Sequence, residues 1–274
     1  DDFGGDKGLH YYTVDISKNG GLGEVTAGPV NLSDGKGSSW SEKVTAVQSD
    51  DCDAIWILSA VGNEFYAYKI TSTGVDQANP VISTTNYSLR DRRGYLKVSP
   101  DGSKIALADF NGPTGNGFLT LYSFNNATGV VSSTFEVLSS SGPDGAPYGI
   151  EFSQQSNKLY SSHFDGTNNK VYQFDLTATD ISTTKTLIHS QIGYRGGLQL
   201  AIDGKIYASV SVDYFDGTQY LDVIENPGDD AADVIYTEDK IDLGVTRGTQ
   251  GLPPFIQSFF SPVKIIDSNT SEDL

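Results

Sequence analysis

Lys97, Glu151 and Gln199 each stand between two apolar residues, in LKV, IEF and LQL, and each falls two residues before a recurring turn. An ammonium, a carboxylate and an amide at one repeat position can pair with one another or present charge and hydrogen bonds to a ligand at a channel mouth. The structural reading is a Lys97 to Glu151 ion pair with Gln199 bonded to backbone. Tyr148, Tyr194, Arg195 and Arg247 sit in neighbouring predicted loops, where aromatic stacking and bidentate hydrogen bonding can recognise a sugar or a carboxylate. Asp213 and Asp216, in DYFDG, are the favoured candidates for Ca²⁺, which takes roughly six to eight oxygen ligands. Asp50, Asp51 and Asp53, and Asp229, Asp230 and Asp233, are further acidic loops, although Asp-Gly turns are also ordinary hairpin chemistry.

Catalytic constellations are harder to assemble. A glycosidase needs two carboxylates across one cleft, and Glu151 is the only acid that suggests itself. There is no GxSxG, HExxH or phosphate-binding Gly-rich loop, and His10, His163 and His189 are scattered. Cys52 cannot form an intrachain disulfide, and the acids beside it raise its thiol pKa, so it reads as structural.

The elements that must position these residues repeat along the chain. GYLKVSPDGSKIALAD (94–109) is an apolar strand, a tight turn and a second apolar strand, a hairpin by pattern. Residues 148–164, 198–211 and, more weakly, 45–59 copy it, with Ser49, Ser99, Ser153 and Ala201 about 50, 54 and 48 residues apart. A third strand and a polar turn follow each hairpin, as in EFYAYKITSTGV, FLTLYSFNNATGV and KVYQFDLTATDI, and a fourth strand begins the return. Four antiparallel strands in about fifty residues make a propeller blade. The expected fold is an all-β propeller over 1–266 with a polar tail at 267–274. About five blades are expected, one completed from residues 8–26 and 251–260, with an open or truncated ring, a fragment of a larger one, as the alternative.

Thirty glycines, fifteen tyrosines and the lack of a long apolar helical pattern agree with an all-β chain. Eighteen basic residues against 35 acidic ones give a formal net charge of −17, which argues against a nucleic-acid partner. No apolar run is long enough for a membrane span. The chain begins at Asp1 and has no Met, so an upstream region is expected, and a further segment of the same parent protein is a candidate to supply missing strands.

NGGLGEVT within 8–26, EKVTAV, FYAYKITSTGV, GYLKVSPDGSKIALA, FNNATGVV, YGIEFS and GLPPFIQSFF together resemble the propeller-like region of large secreted surface proteins of gliding, Bacteroidetes-type bacteria. The resemblance implies export by the type IX route, display at the cell surface and adhesion, and brings no catalytic residues with it. The expectation is an extracellular, non-enzymatic binding or display module for a glycan or protein partner, with no cofactor beyond possible Ca²⁺. The rivals are a propeller hydrolase or lyase acting on polysaccharide and a spacer without ligand.

Overall fold

A strand turns successive side chains to opposite faces, so a strand buried on both sides must find two partners. Lys104–Asp109 shows the consequence: Ile105 and Leu107 enter one buried cluster with Trp56, Leu58 and Phe65, while Ala106 and Ala108 enter another with Ile150, Phe152 and Phe174. The sheet that contains this strand is thereby sandwiched between two others.

The computed structural model describes residues 7–51 and 53–261. In chain order the strands are β1 (His10–Asp15), β2 (Glu24–Asn31), β3 (Val44–Gln48), β4 (Ile55–Val61), β5 (Glu64–Thr71), β6 (Gly74–Val75), β7 (Val81–Thr84), β8 (Leu96–Val98), β9 (Lys104–Asp109) and β10 (Phe118–Asn125). They continue with β11 (Val130–Ser140), β12 (Ala146–Phe152), β13 (Lys158–Phe164), β14 (Asn168–Asp175), β15 (Thr186–Ile192), β16 (Leu198–Leu200), β17 (Ile206–Ala208), β18 (Tyr220–Ile224) and β19 (Tyr236–Asp242). Antiparallel sheets β8 to β11, β12 to β15 and β16 to β19 are blades of four strands. In the blade built on β3, β4 and β5, the outer strand is split into β6 and β7.

The predicted repeat survives at atomic level. Backbone N–H groups of Ser49, Ser99, Ser153 and Ala201 donate to the carbonyls of Ala54, Lys104, Lys158 and Lys205, closing the inner hairpin of each blade. Within three of these turns, Gly102, Ser156 and Gly204 donate back to Ser99, Ser153 and Ala201. All three take a positive φ, which glycine adopts freely and serine only with strain.

The described residues form four blades, which corrects the expectation of about five. The amino-terminal unit forms only the β1–β2 hairpin, whose Leu9 and Tyr11 lie against Trp40, Tyr66 and Tyr68 of the first blade's cluster. Residues 251–260 do not complete a blade with it. Instead Leu252 N donates to the Tyr95 hydroxyl at 2.9 Å, Ile256 bridges Ala46 in parallel, and Ser258 Oγ accepts from Gln48 N at 2.8 Å. Phe260 then packs on the cluster shared by the last two blades. The segment thus follows the inner edge of β3, while β3, β8, β12 and β16 pack in succession around the rest of the channel. The polar tail at 267–274 and Cys52 lie outside the described residues.

A chain ending at Gln250 is expected to unfold at lower urea concentration and to exchange the amides of β3 faster than wild type. Protection in β12 to β15 should be retained. Hydrogen exchange followed by mass spectrometry reads both, and unchanged β3 protection would refute the placement of this segment.

Candidate binding site at the entry end of the ring

Each outer strand hands over to the next inner strand at one end of the ring, where the loops 85–95, 141–145 and 193–197 also meet 110–117 and 209–219. The short inner strands carry Lys97, Glu151 and Gln199 towards the axis, because their apolar neighbours on either side are drawn into the clusters between blades. All three are buried. Lys97 Nζ donates to Glu151 Oε2 at 2.8 Å and to Gln199 Oε1 at 2.7 Å. Glu151 also accepts from the backbone N–H of Phe152 and of Leu200, both at 2.9 Å, and Gln199 Nε2 donates to the Leu200 carbonyl. Gln257 Nε2 approaches Glu151 at 3.4 Å from the carboxy-terminal segment. The ion pair and the Gln199 backbone bond of the structural reading are both made, and the pair ties three blades together.

Tyr148, Tyr194 and Arg195 come together above this pair. The Arg195 guanidinium, only 2% exposed, lies 4.6 Å from the Tyr148 ring centre, 4.8 Å from Phe110, 5.3 Å from Tyr194 and 6.0 Å from Tyr214. Its Nε donates to Gln250 Oε1 at 2.5 Å. A delocalised cation within reach of several ring faces makes Arg195 a common centre for the aromatic groups around it. Arg247 lies further out and pairs with Asp216 at 2.5 Å.

Next to this cluster is a cavity of about 250 Å³ lined by Glu42, Lys43, Tyr95, Lys97, Tyr148, Leu252 and other residues. The Tyr95 and Tyr148 rings meet at 5.6 Å with a 56° tilt. Close backbone approach makes room for Tyr95: a Cβ on Gly197 would come within 2.2 Å of its hydroxyl. Glu42 Oε1 accepts from Gly94 N at 2.9 Å. Lys43 Nζ donates to the carbonyls of Arg92 and Arg93 at 3.2 and 2.5 Å, and burial brings its pKa down to about 8, against the pull of Asp109, Glu42 and Asp91. Asp109, itself buried, accepts from the Tyr87 hydroxyl and from the N–H groups of Arg90 and Asp91, which fixes the loop that covers Lys43.

The acids of DYFDG are engaged within their own loop. Asp213 Oδ1 accepts from the N–H of Phe215 and of Asp216 at 2.7 and 2.8 Å, and Asp216 holds Arg247. Asp51 pairs with Lys69, and Asp230 with Lys158. Among the described residues no group of three or more His, Cys, Asp or Glu side chains is placed to hold a metal ion. Sequence reasoning overlooked Glu42, Lys43, Tyr95, Phe110, Tyr214 and Phe215. Tyr95 carried a usable signal, since it shares its repeat column with Gly149 and Gly197, one large residue against two with no side chain.

No protein-family model matches the chain, and no curated protein matches it significantly. Solved structures do resemble it. The periplasmic gluconolactonase of Pseudomonas aeruginosa is 14% identical, with a TM-score of 0.54 over 89% of this chain and 67% of that one. The nidogen/laminin complex gives 0.49 at 11% identity over 82% and 74%, and a carbohydrate-active enzyme of Trichoderma reesei gives 0.42 at 16% over 69% and 53%. The chain therefore spans from about half to three quarters of these proteins' length, and the likeness to the gluconolactonase, at 14% identity, establishes the fold alone.

Breaking the central pair with Lys97→Met is expected to cost about 3–5 kcal/mol in urea unfolding, because it strands a buried carboxylate. Lys97→Met with Glu151→Leu should recover part of that loss, and strict additivity would argue against the coupling. Lys43 supplies a pH test. Its folded pKa lies below the unfolded value of about 10.4, so between these values the unfolded chain binds more protons and stability rises with pH. Wild type should gain stability from pH 8 to 10 relative to Lys43→Met, and parallel pH profiles would refute the assignment.

Proposed function

We propose that this protein is an extracellular, non-enzymatic recognition module that binds a sugar in the cavity at the entry end. The observation that carries the reading is the cavity itself, lined by Tyr95, Tyr148 and Glu42 beside the buried Arg195. Tyrosine supplies an apolar face for a sugar ring, while Glu42 and the tyrosine hydroxyls supply the few directed polar contacts that fix its orientation. The volume is below the range of roughly 300–1,000 Å³ typical of drug-sized ligands, which suits a single sugar unit. Glu151 supports a binding role over glycoside cleavage, because its carboxylate is buried and engaged by Lys97 and two backbone donors. Display on a bacterial surface, export by the type IX route and membership of the adhesin-like group belong to the same proposal, on the sequence resemblance alone.

A second reading, a hydrolase acting on a sugar lactone, is favoured by one feature. Lys43 lines the cavity beside Glu42 with an amine whose pKa is lowered to about 8, and it would serve as a general base once released from the Arg92 and Arg93 carbonyls it holds. The Pseudomonas aeruginosa gluconolactonase shares the fold.

A glycan array probed with the whole chain should show saturable binding. Leu252→Trp, which fills the cavity from a partly exposed position, should weaken that binding at least about tenfold with an unchanged unfolding midpoint. Retained binding in Leu252→Trp would place the ligand elsewhere. Acid release from gluconolactone above the spontaneous rate, lost in Lys43→Met, would favour the hydrolase.

A further inference from the structure

The loop between β17 and β18 spends its polar groups on holding a shape. Asp213 receives two backbone N–H groups, Asp216 pairs with Arg247, and Gln250 Nε2 donates to the Tyr214 carbonyl at 2.9 Å. Thr218 exchanges two backbone hydrogen bonds with Gly248, at 3.0 and 2.9 Å, which closes the base of the loop. At the tip of this braced turn stands Phe215, 89% exposed. Folding gains almost nothing from a phenyl ring in water, while the braced turn holds that ring in a fixed position.

The ring stands at the end of a continuous series. From the cavity wall, Tyr148 stacks on Arg195, Arg195 lies over Tyr194 and Tyr214, and Tyr214 meets Phe215 edge to face at 4.9 Å. Burial falls along it, from buried Tyr148 through Tyr214 to the exposed tip. Gln250 bonds both Arg195 and the Tyr214 carbonyl, so cavity wall and turn share one support.

We infer that Tyr214 and Phe215 form a second subsite, so that the ligand is a neutral oligosaccharide with its terminal unit in the cavity and the next units over these rings. The inference rests on the sugar-binding reading of the cavity and adds length and charge to it. Length follows from the pairing of a cavity fit for one sugar unit with a partly exposed ring pair that Arg195 and Gln250 hold in fixed relation to the cavity wall. Neutrality follows from the local charges: the Lys97 and Arg247 cations are matched by Glu151 and Asp216, Lys43 is turned to backbone carbonyls, Arg195 is buried among four rings, and Glu42 and Asp213 would repel an acidic sugar. Sugars with a flat apolar face fit an aromatic platform, which selects β-1,4-linked glucose and N-acetylglucosamine chains as probes.

Titration calorimetry of the whole chain with glucose to cellohexaose, and with N-acetylglucosamine to chitohexaose, tests this. In one series affinity should rise about fivefold or more between one unit and three, in line with an aromatic contact of about 1 kcal/mol. Phe215→Ala should remove that rise and leave single-unit affinity unchanged. Asp213→Ala, which keeps the ring and loosens the turn, should remove part of it. Affinity independent of length, or an equal loss for short and long ligands in Phe215→Ala, would overturn the second subsite and leave the cavity reading standing. Absence of binding by wild type to every member of both series would overturn this inference, and an accompanying blank glycan array would overturn the cavity reading as well.

Discussion

The buried pair of Lys97 and Glu151 is the constraint on which the centre of the ring depends. Removing both ions from water is costly, and the cost is offset only when short contacts and further hydrogen bonds satisfy the groups. Here Lys97 comes from the second blade, Glu151 from the third and Gln199 from the fourth, so the bonds form only when three inner strands reach the axis in register. A slip of one residue would turn these polar groups into the clusters between blades and bring Leu96, Ile150 or Leu198 to the axis. The pair therefore contributes to the choice of register, alongside the apolar burial that supplies most of the stability.

The carboxy-terminal segment is placed by the same centre. Gln257 approaches Glu151, Ile256 bridges β3 and Leu252 N reaches the Tyr95 hydroxyl, so the segment runs from the cavity to the polar pair and beyond it to the far end of β3. Leu252 and Pro254 line the cavity, which makes the same stretch both a filling of the channel and one wall of the site. Burial of Tyr95 pushes its phenol up to about 12 and keeps it protonated while it accepts from the Leu252 N–H.

Hairpin turns were legible in the sequence because their chemistry is local: Asp-Gly at 101–102, with Gly204 at the matching position, supplies the backbone freedom the turn needs, and Ser99 and Ser153 recur with it. The convergence of Lys97, Glu151 and Gln199 was legible because it follows from register alone. Blade number was not, because ring closure depends on whether residues 8–26 and 251–260 pair with each other. That choice is settled by contacts far apart in sequence, and Ile256 bridges Ala46 instead. The cavity was hidden for a related reason. Glu42, Lys43 and Tyr95 come from handover segments of unequal length, 32–43 and 85–95, which no repeat alignment superimposes. Arg195 was identified as a contact residue, yet its burial among four rings depends on Phe110 and Tyr214 from other blades.

The acidic loops show why a run of carboxylates is a poor guide to a metal site. Asp15, Asp101, Asp165, Asp175 and Asp213 each accept the N–H of the residue two further on, an Asx turn that ends or shapes a loop. Such a carboxylate is already using its oxygens, and the bonds favour its charged form. The Ser17 hydroxyl and N–H hold Asp15 below the ordinary carboxylate range, and those of Thr177 do the same for Asp175. Because the folded pKa lies below the unfolded one, this help to stability is present above the unfolded value and is lost as pH falls through the folded one. Asp213, one of the acids that looked available for a ligand in the sequence, is thus built into a turn, and the large net negative charge is tolerated partly because many of its carriers are individually hydrogen-bonded.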